Sequence, residues 1–89
     1  MWLETLTLQT HKSTKEAIEA FYRDMTQDSE FATTNIRVFY HQNAVLHVTW
    51  HLQHLTIPET DCSIQATRLI ELLRPFGSVH HCTWLPLSI

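Results

Sequence analysis

The sequence predicts an α+β domain with the element order β-α-β-β-α-β, and three observations predict it. Four stretches alternate apolar and polar residues at period two, as half-buried strands do. Two others place apolar residues at the i, i+3, i+4, i+7 spacing of a helix face. The helical stretches follow the first and the third strand, which is the split β-α-β pattern of ferredoxin-like domains.

The first strand is "WLETLTLQ", residues 2–9, with Leu6 and Leu8 on one face and Thr5 and Thr7 on the other. Ser13 opens "STKE", a Ser-x-x-Glu capping box closed by Glu16, and starts a helix running to about Gln27. Ile18, Phe21, Tyr22 and Met25 form its inner stripe. A polar connection, 28–35, follows with one apolar anchor, Phe31.

Residues 36–42 and 45–53 are the next two strands. Ile36, Val38 and Tyr40 oppose Arg37, Phe39 and His41; Leu46, Val48, Trp50 and Leu52 oppose Val45, His47, Thr49 and His51. Trp50 therefore belongs to the core. A tight turn at Asn43-Ala44 with an odd loop keeps the apolar faces together and sets His41 opposite His47. Pro58 then stops the ladder. A second helix starts at about Asp61 or Ser63, with Ile64, Ala66, Leu69, Ile70, Leu73 and Phe76 as its inner stripe. Pro75 falls at its end and Gly77 reads as the residue that caps it. The last strand, 78–87, sets Val79, His81, Thr83 and Leu85 against His80, Cys82 and Trp84.

Right-handed crossovers arrange these strands as one antiparallel sheet in the order 4-1-3-2. Both helices then cover one face and leave the other open. At 89 residues and 10.5 kDa the chain holds a single ferredoxin-like domain, residues 1–89. A chain this short buries only about 60–65% of its unfolded surface. With 44% hydrophobic and 17% charged residues, it has few charges to cover its exterior. A homodimer is the expected partner arrangement, with Trp2 as an interface anchor.

Composition excludes several classes. The net charge is −3 with six Lys and Arg, so no basic surface marks a nucleic-acid partner. No stretch approaches the roughly 20 apolar residues of a membrane span. The opening "MWLETLTLQT" lacks a basic flank and an apolar block, so it reads as a strand and not a signal peptide. Cys62 and Cys82 form no CxxC pair and read as free thiols in a reducing cytoplasm. With one glycine, Gly77, there is no phosphate-binding loop, no dinucleotide fingerprint and no nucleophile elbow.

The open face carries Thr5, Thr7, Arg37, Phe39, His41, His47, Thr49, His51 and His81 by parity. Such a face, polar yet aromatic, suits the wall of a small-molecule pocket. In "LETLTL", "LHVTW" and "LLRPFGSVHHCTW" the chain resembles the dimeric α/β-barrel group that includes antibiotic-biosynthesis-monooxygenase-like proteins. The resemblance spans the whole chain as topology and size. It implies two sheets paired face to face around a pocket, and an activity among cofactor-free oxygenases of small aromatic or quinol compounds. It supplies no catalytic residues position by position.

The chemistry such a pocket needs is a base near neutrality, and imidazole is one. His47, central on its strand, is the first candidate, followed by His51 and His41. Thr5, Thr7, Arg37, Phe39, Thr49 and His81 are the expected ligand-contacting residues. Two alternatives stand beside the enzyme: a ligand-sensing or structural dimerisation domain without chemistry, and a histidine-based metal binder. A metal is disfavoured because His47 and His51 lie about 13 Å apart along one strand. Only the His41–His47 pair, roughly 5 Å apart across strands, reaches chelating distance. No metal or cofactor site is assigned.

Overall fold

The computed structural model describes residues 2–10, 15–28, 31, 35–41, 44–55 and 62–87, with backbone only for 44–46. The Ser13 cap, the Asn43 turn and the Pro58 break lie outside these. The elements are β1 (Trp2–Gln9), α1 (Lys15–Thr26), β2 (Asn35–His41), β3 (Ala44–His54), α2 (Ile64–Leu73) and β4 (Ser78–Trp84). A 3-10 turn, Arg74–Phe76, joins α2 to β4. The four strands form one antiparallel sheet ordered β2-β3-β1-β4. This α+β arrangement is compatible with a ferredoxin-like fold. No helix among the described residues is long and apolar enough to cross a membrane.

Alternation decides which face is dry. Leu6 and Leu8 of β1, and Val48, Trp50 and Leu52 of β3, share one cluster with Ile18 and Met25 of α1 and Ala66, Leu69 and Leu73 of α2. Both helices therefore cover the same face of the sheet. Trp50 is fully buried at its centre; the Phe21 ring meets it edge-on with centroids 6.2 Å apart, and Phe76 in turn meets Phe21 at 5.5 Å. Each large side chain so buried contributes roughly 1.5–3 kcal/mol. Phe31 is buried in the same cluster, as an anchor in a polar connection must be. Tyr22 donates its hydroxyl to the Ile36 carbonyl at 3.3 Å, tying α1 to β2.

Ser63 caps α2, its hydroxyl accepting the Ala66 N–H at 3.0 Å. Ile64 does not join the inner stripe and is almost fully exposed. At 3.6 residues per turn it lies roughly 160° around the helix from Ala66, so a core containing Ala66, Leu69 and Leu73 leaves it outside.

The β2–β3 register follows the apolar pattern from Asn35↔Gln53 to Tyr40↔Val48 and then shifts, so that His41 pairs with Ala44 and not with His47. The local irregularity absorbs residues that a regular ladder would have paired. The two rings still approach, with centroids 6.2 Å apart.

Gly77 does not close α2 in a left-handed conformation; it is extended. Its glycine answers a different need. A Cβ there would stand 2.1 Å from the backbone oxygen of Gln9 and 3.0 Å from Cα of Thr10. Backbone cannot yield as a flexible side chain does, so Gly77→Ala should lower stability by about 1–3 kcal/mol. Urea unfolding of the two chains checks this, and coincident midpoints would refute the close approach.

Candidate functional site

The helix-free face assembles as parity requires, with one exception. Thr5 stands opposite His51, Thr7 opposite Thr49, Arg37 opposite His51 and Phe39 opposite Thr49. Phe39 leans on His51 with ring centroids 4.9 Å apart, and the hydroxyls of Thr7 and Thr49 meet at 3.4 Å. Thr7, Phe39, His41, His47, Thr49 and His51, with Tyr40 at the strand end, line an open depression of ≈390 Å³. Arg37 is exposed beside it. Trp84 lies on the same face and donates its indole N–H to Thr5 Oγ1 at 2.9 Å.

His81 is the exception. It pairs with Leu6, and Val79 pairs with Leu8, so both share the dry face of β1; His80 takes the place beside Thr7. His81 is thus not a wall of the open depression. It points toward the helices, where its Nε2 meets Oε2 of Glu4 at 2.7 Å.

Glu4 is a site residue that alternation alone does not single out. It shares the parity of Leu6 and Leu8 and is fully buried. Its direct neighbours across the sheet are Leu52 and Thr83, but its partners are the two diagonal histidines. His54, two residues beyond Leu52 on β3, places Nε2 2.7 Å from Oε1. His81, two residues before Thr83 on β4, takes Oε2, and the Ser63 backbone N–H reaches the same oxygen at 3.0 Å. Trp2 is buried and stacks on His54, centroids 4.3 Å apart and planes 24° from parallel. It is an internal cover for this centre in the single chain, not the interface anchor its terminal position suggested.

No family model, curated protein or solved structure matches the chain. Its chemistry is therefore read from these side chains alone.

Burial is the largest influence on the Glu4 carboxyl and pushes its pKa up. Hydrogen bonds from Ser63, through hydroxyl and backbone N–H, from His81 and from His54 together outweigh it and hold Glu4 below the usual carboxylate range. An ionised carboxylate only accepts, so each histidine donates to Glu4 from Nε2. The start of α2 adds the favourable end of a helix dipole. Cys62, one residue before the cap, is partly exposed; ligand atoms of Glu4, Cys62 and His81 all lie within 4.8 Å of one another. Thr67 donates its hydroxyl to Cys62 Sγ at 3.4 Å, and neither Cys62 nor Cys82 is in a disulfide.

The signal for this centre was present in the sequence: an acid with the parity of two leucines. Only the sheet register, which brings His54 and His81 to its flanks, turns that signal into a site.

Glu4→Gln keeps the shape but leaves one histidine donor without an acceptor, a loss of about 1–3 kcal/mol near neutral pH. A carboxyl held below its ordinary value contributes stability that is complete above about pH 4.3 and is lost as pH falls through the folded-state value. The stability gap between the native chain and Glu4→Gln should therefore narrow on acidification. Urea midpoints in chelator-treated buffer between about pH 7 and pH 3 measure it; a gap that widens toward acid would contradict the assignment.

Proposed function

We propose that the helix-free face binds a small aromatic molecule and that a second copy of the chain closes over it, as a dimeric α/β-barrel of ferredoxin-like subunits. The supporting observation is the depression of ≈390 Å³ lined by three histidines, two threonines and Phe39. Its size lies in the range of small-molecule sites, and its lining combines apolar surface with a few polar groups. Phe39 and Trp84, each about half exposed at 50% and 57%, frame the same face with apolar area that a partner sheet would bury. Face-to-face pairing of two such sheets turns an open depression into an enclosed pocket. The proposed compartment is the cytoplasm, where cysteines outside disulfides persist.

Two chemical forms of this reading differ at one step. In the oxygenase form, without cofactor, His47 takes a proton from a phenol or enol, the carbanionic carbon of the resulting phenolate or enolate adds dioxygen, and the peroxide anion so formed takes the proton back from His47. In the sensor form the imidazoles only hold the ligand. The sensor form is favoured by the charges of the sheet. Glu4 is the sole acid in the four described strands, and it faces the other way. His47, the first candidate base, and His51 thus have no strand carboxylate to orient them.

Native mass spectrometry of the untagged chain should show a dimer, and Phe39→Glu should weaken its association at least tenfold. A monomer at all accessible concentrations would end the barrel reading. Oxygen uptake with a phenol, abolished by His47→Ala while binding persists, selects the oxygenase form. Saturable phenol binding without oxygen uptake selects the sensor.

A further inference from the structure

A second constellation lies on the opposite side of the sheet, and it does not depend on the ligand pocket. Four elements each deliver one side chain with a metal-binding atom: Glu4 from β1, His54 from the end of β3, Cys62 from the approach to α2, and His81 from β4. We propose that Glu4, Cys62 and His81 bind one divalent transition-metal ion of the zinc class, with His54 positioning the carboxylate.

The donor set is the first argument. One thiol, one imidazole and one carboxylate suit a borderline-soft cation such as Zn²⁺ and suit Ca²⁺ or Mg²⁺ poorly. Geometry is the second. Metal–ligand bonds of about 2.0–2.3 Å in a tetrahedron put donor atoms about 3.3–3.8 Å apart. Here the three donor atoms lie within 4.8 Å of one another, and His81 Nε2 is 2.7 Å from Glu4 Oε2. A contraction of about 1 Å at the outer limit, or a smaller opening between His81 and Glu4, converts the cluster into a coordination shell. On binding, the Cys62 thiol loses its proton to solvent, and the Nε2 proton of His81 moves to Nδ1 if Nε2 is the ligating atom. The supporting groups are the third argument. His54 holds Oε1, the oxygen that His81 does not use, and Trp2 stacks on that imidazole. A carboxylate oriented by a second hydrogen-bonding group and shielded by an apolar wall is how proteins support such ions. Partly exposed Cys62 supplies the way in.

Three ligands leave one position for water or a fourth donor. His41 and His47 on the open face offer only two imidazoles, with centroids 6.2 Å apart, and make the natural control.

The test is titration of the untagged, reduced chain with Co²⁺, followed by displacement with Zn²⁺. The expected result is one ion per chain and a thiolate-to-cobalt charge-transfer band in the near ultraviolet. Cys62→Ser should abolish that band and weaken binding at least tenfold while leaving the far-ultraviolet circular dichroism unchanged. His81→Ala should also weaken binding at least tenfold. The double variant His41→Ala/His47→Ala should keep both band and affinity, although it disrupts the proposed ligand pocket. The site is overturned if no charge-transfer band develops. It is equally overturned if Cys62→Ser binds as tightly as the native chain, or if the double variant is the one that loses the ion.

Discussion

A buried carboxylate holds together the elements that meet at one end of the sheet. Glu4 accepts hydrogen bonds from His54 on β3, His81 on β4 and the Ser63 backbone at the head of α2. Removing a carboxylate from water costs several kcal/mol unless its oxygens are satisfied. That cost makes the arrangement specific: a shift of β3 or β4 by one residue would turn its histidine to the other face and leave the charge bare. Ser63 carries the constraint onward. Its N–H fixes it to Glu4 while its hydroxyl caps α2, so the helix begins at a set place above the sheet. From there Ala66, Leu69 and Leu73 reach the core around Trp50.

The sheet thereby acquires two unlike faces from one alternating pattern. Toward the helices it is apolar except at the Glu4 centre. Away from them it carries threonines, histidines and half-exposed aromatics, and no acid in the described strands. Neither face is a plain solvated surface.

Most of this was legible where period and burial coincide. Leu6, Leu8, Val48, Trp50 and Leu52 read as one dry face because both strands alternate cleanly, and Ile18 and Met25 as a helix stripe for the same reason. Legibility failed where a neighbour in space decides. His81 has the parity of Val79, but which face that parity meets is set by its pairing with Leu6. Ile64 is apolar yet stands outside, because a helix's first turn need not reach the core. Gly77 is needed by the carbonyl of Gln9, 68 positions earlier in the chain, and no local turn rule reports that contact. The shift after Tyr40 depends on how the hairpin closes, and a strict alternation carries no sign of it. The Glu4 centre combines all of these: an acid whose partners lie diagonally across two ladders.

Histidines with an acid and histidines without one do different work, and the sheet separates them. A carboxylate on Nε2 fixes the orientation of the ring. His54 and His81 are held in that way, which prepares them to orient or to coordinate. On the open face the contacts of His47 and His51 include aromatic and imidazole rings but no strand carboxylate. An imidazole without such a partner can turn to donate or accept as a ligand requires. Adaptable donors suit a pocket that recognises shape and a few polar atoms; donors held by a carboxylate suit a site whose ligand groups must stay close together. The proposed ligand pocket and the proposed ion site thus fall on opposite faces of the sheet, and the division begins with the parity of a single glutamate.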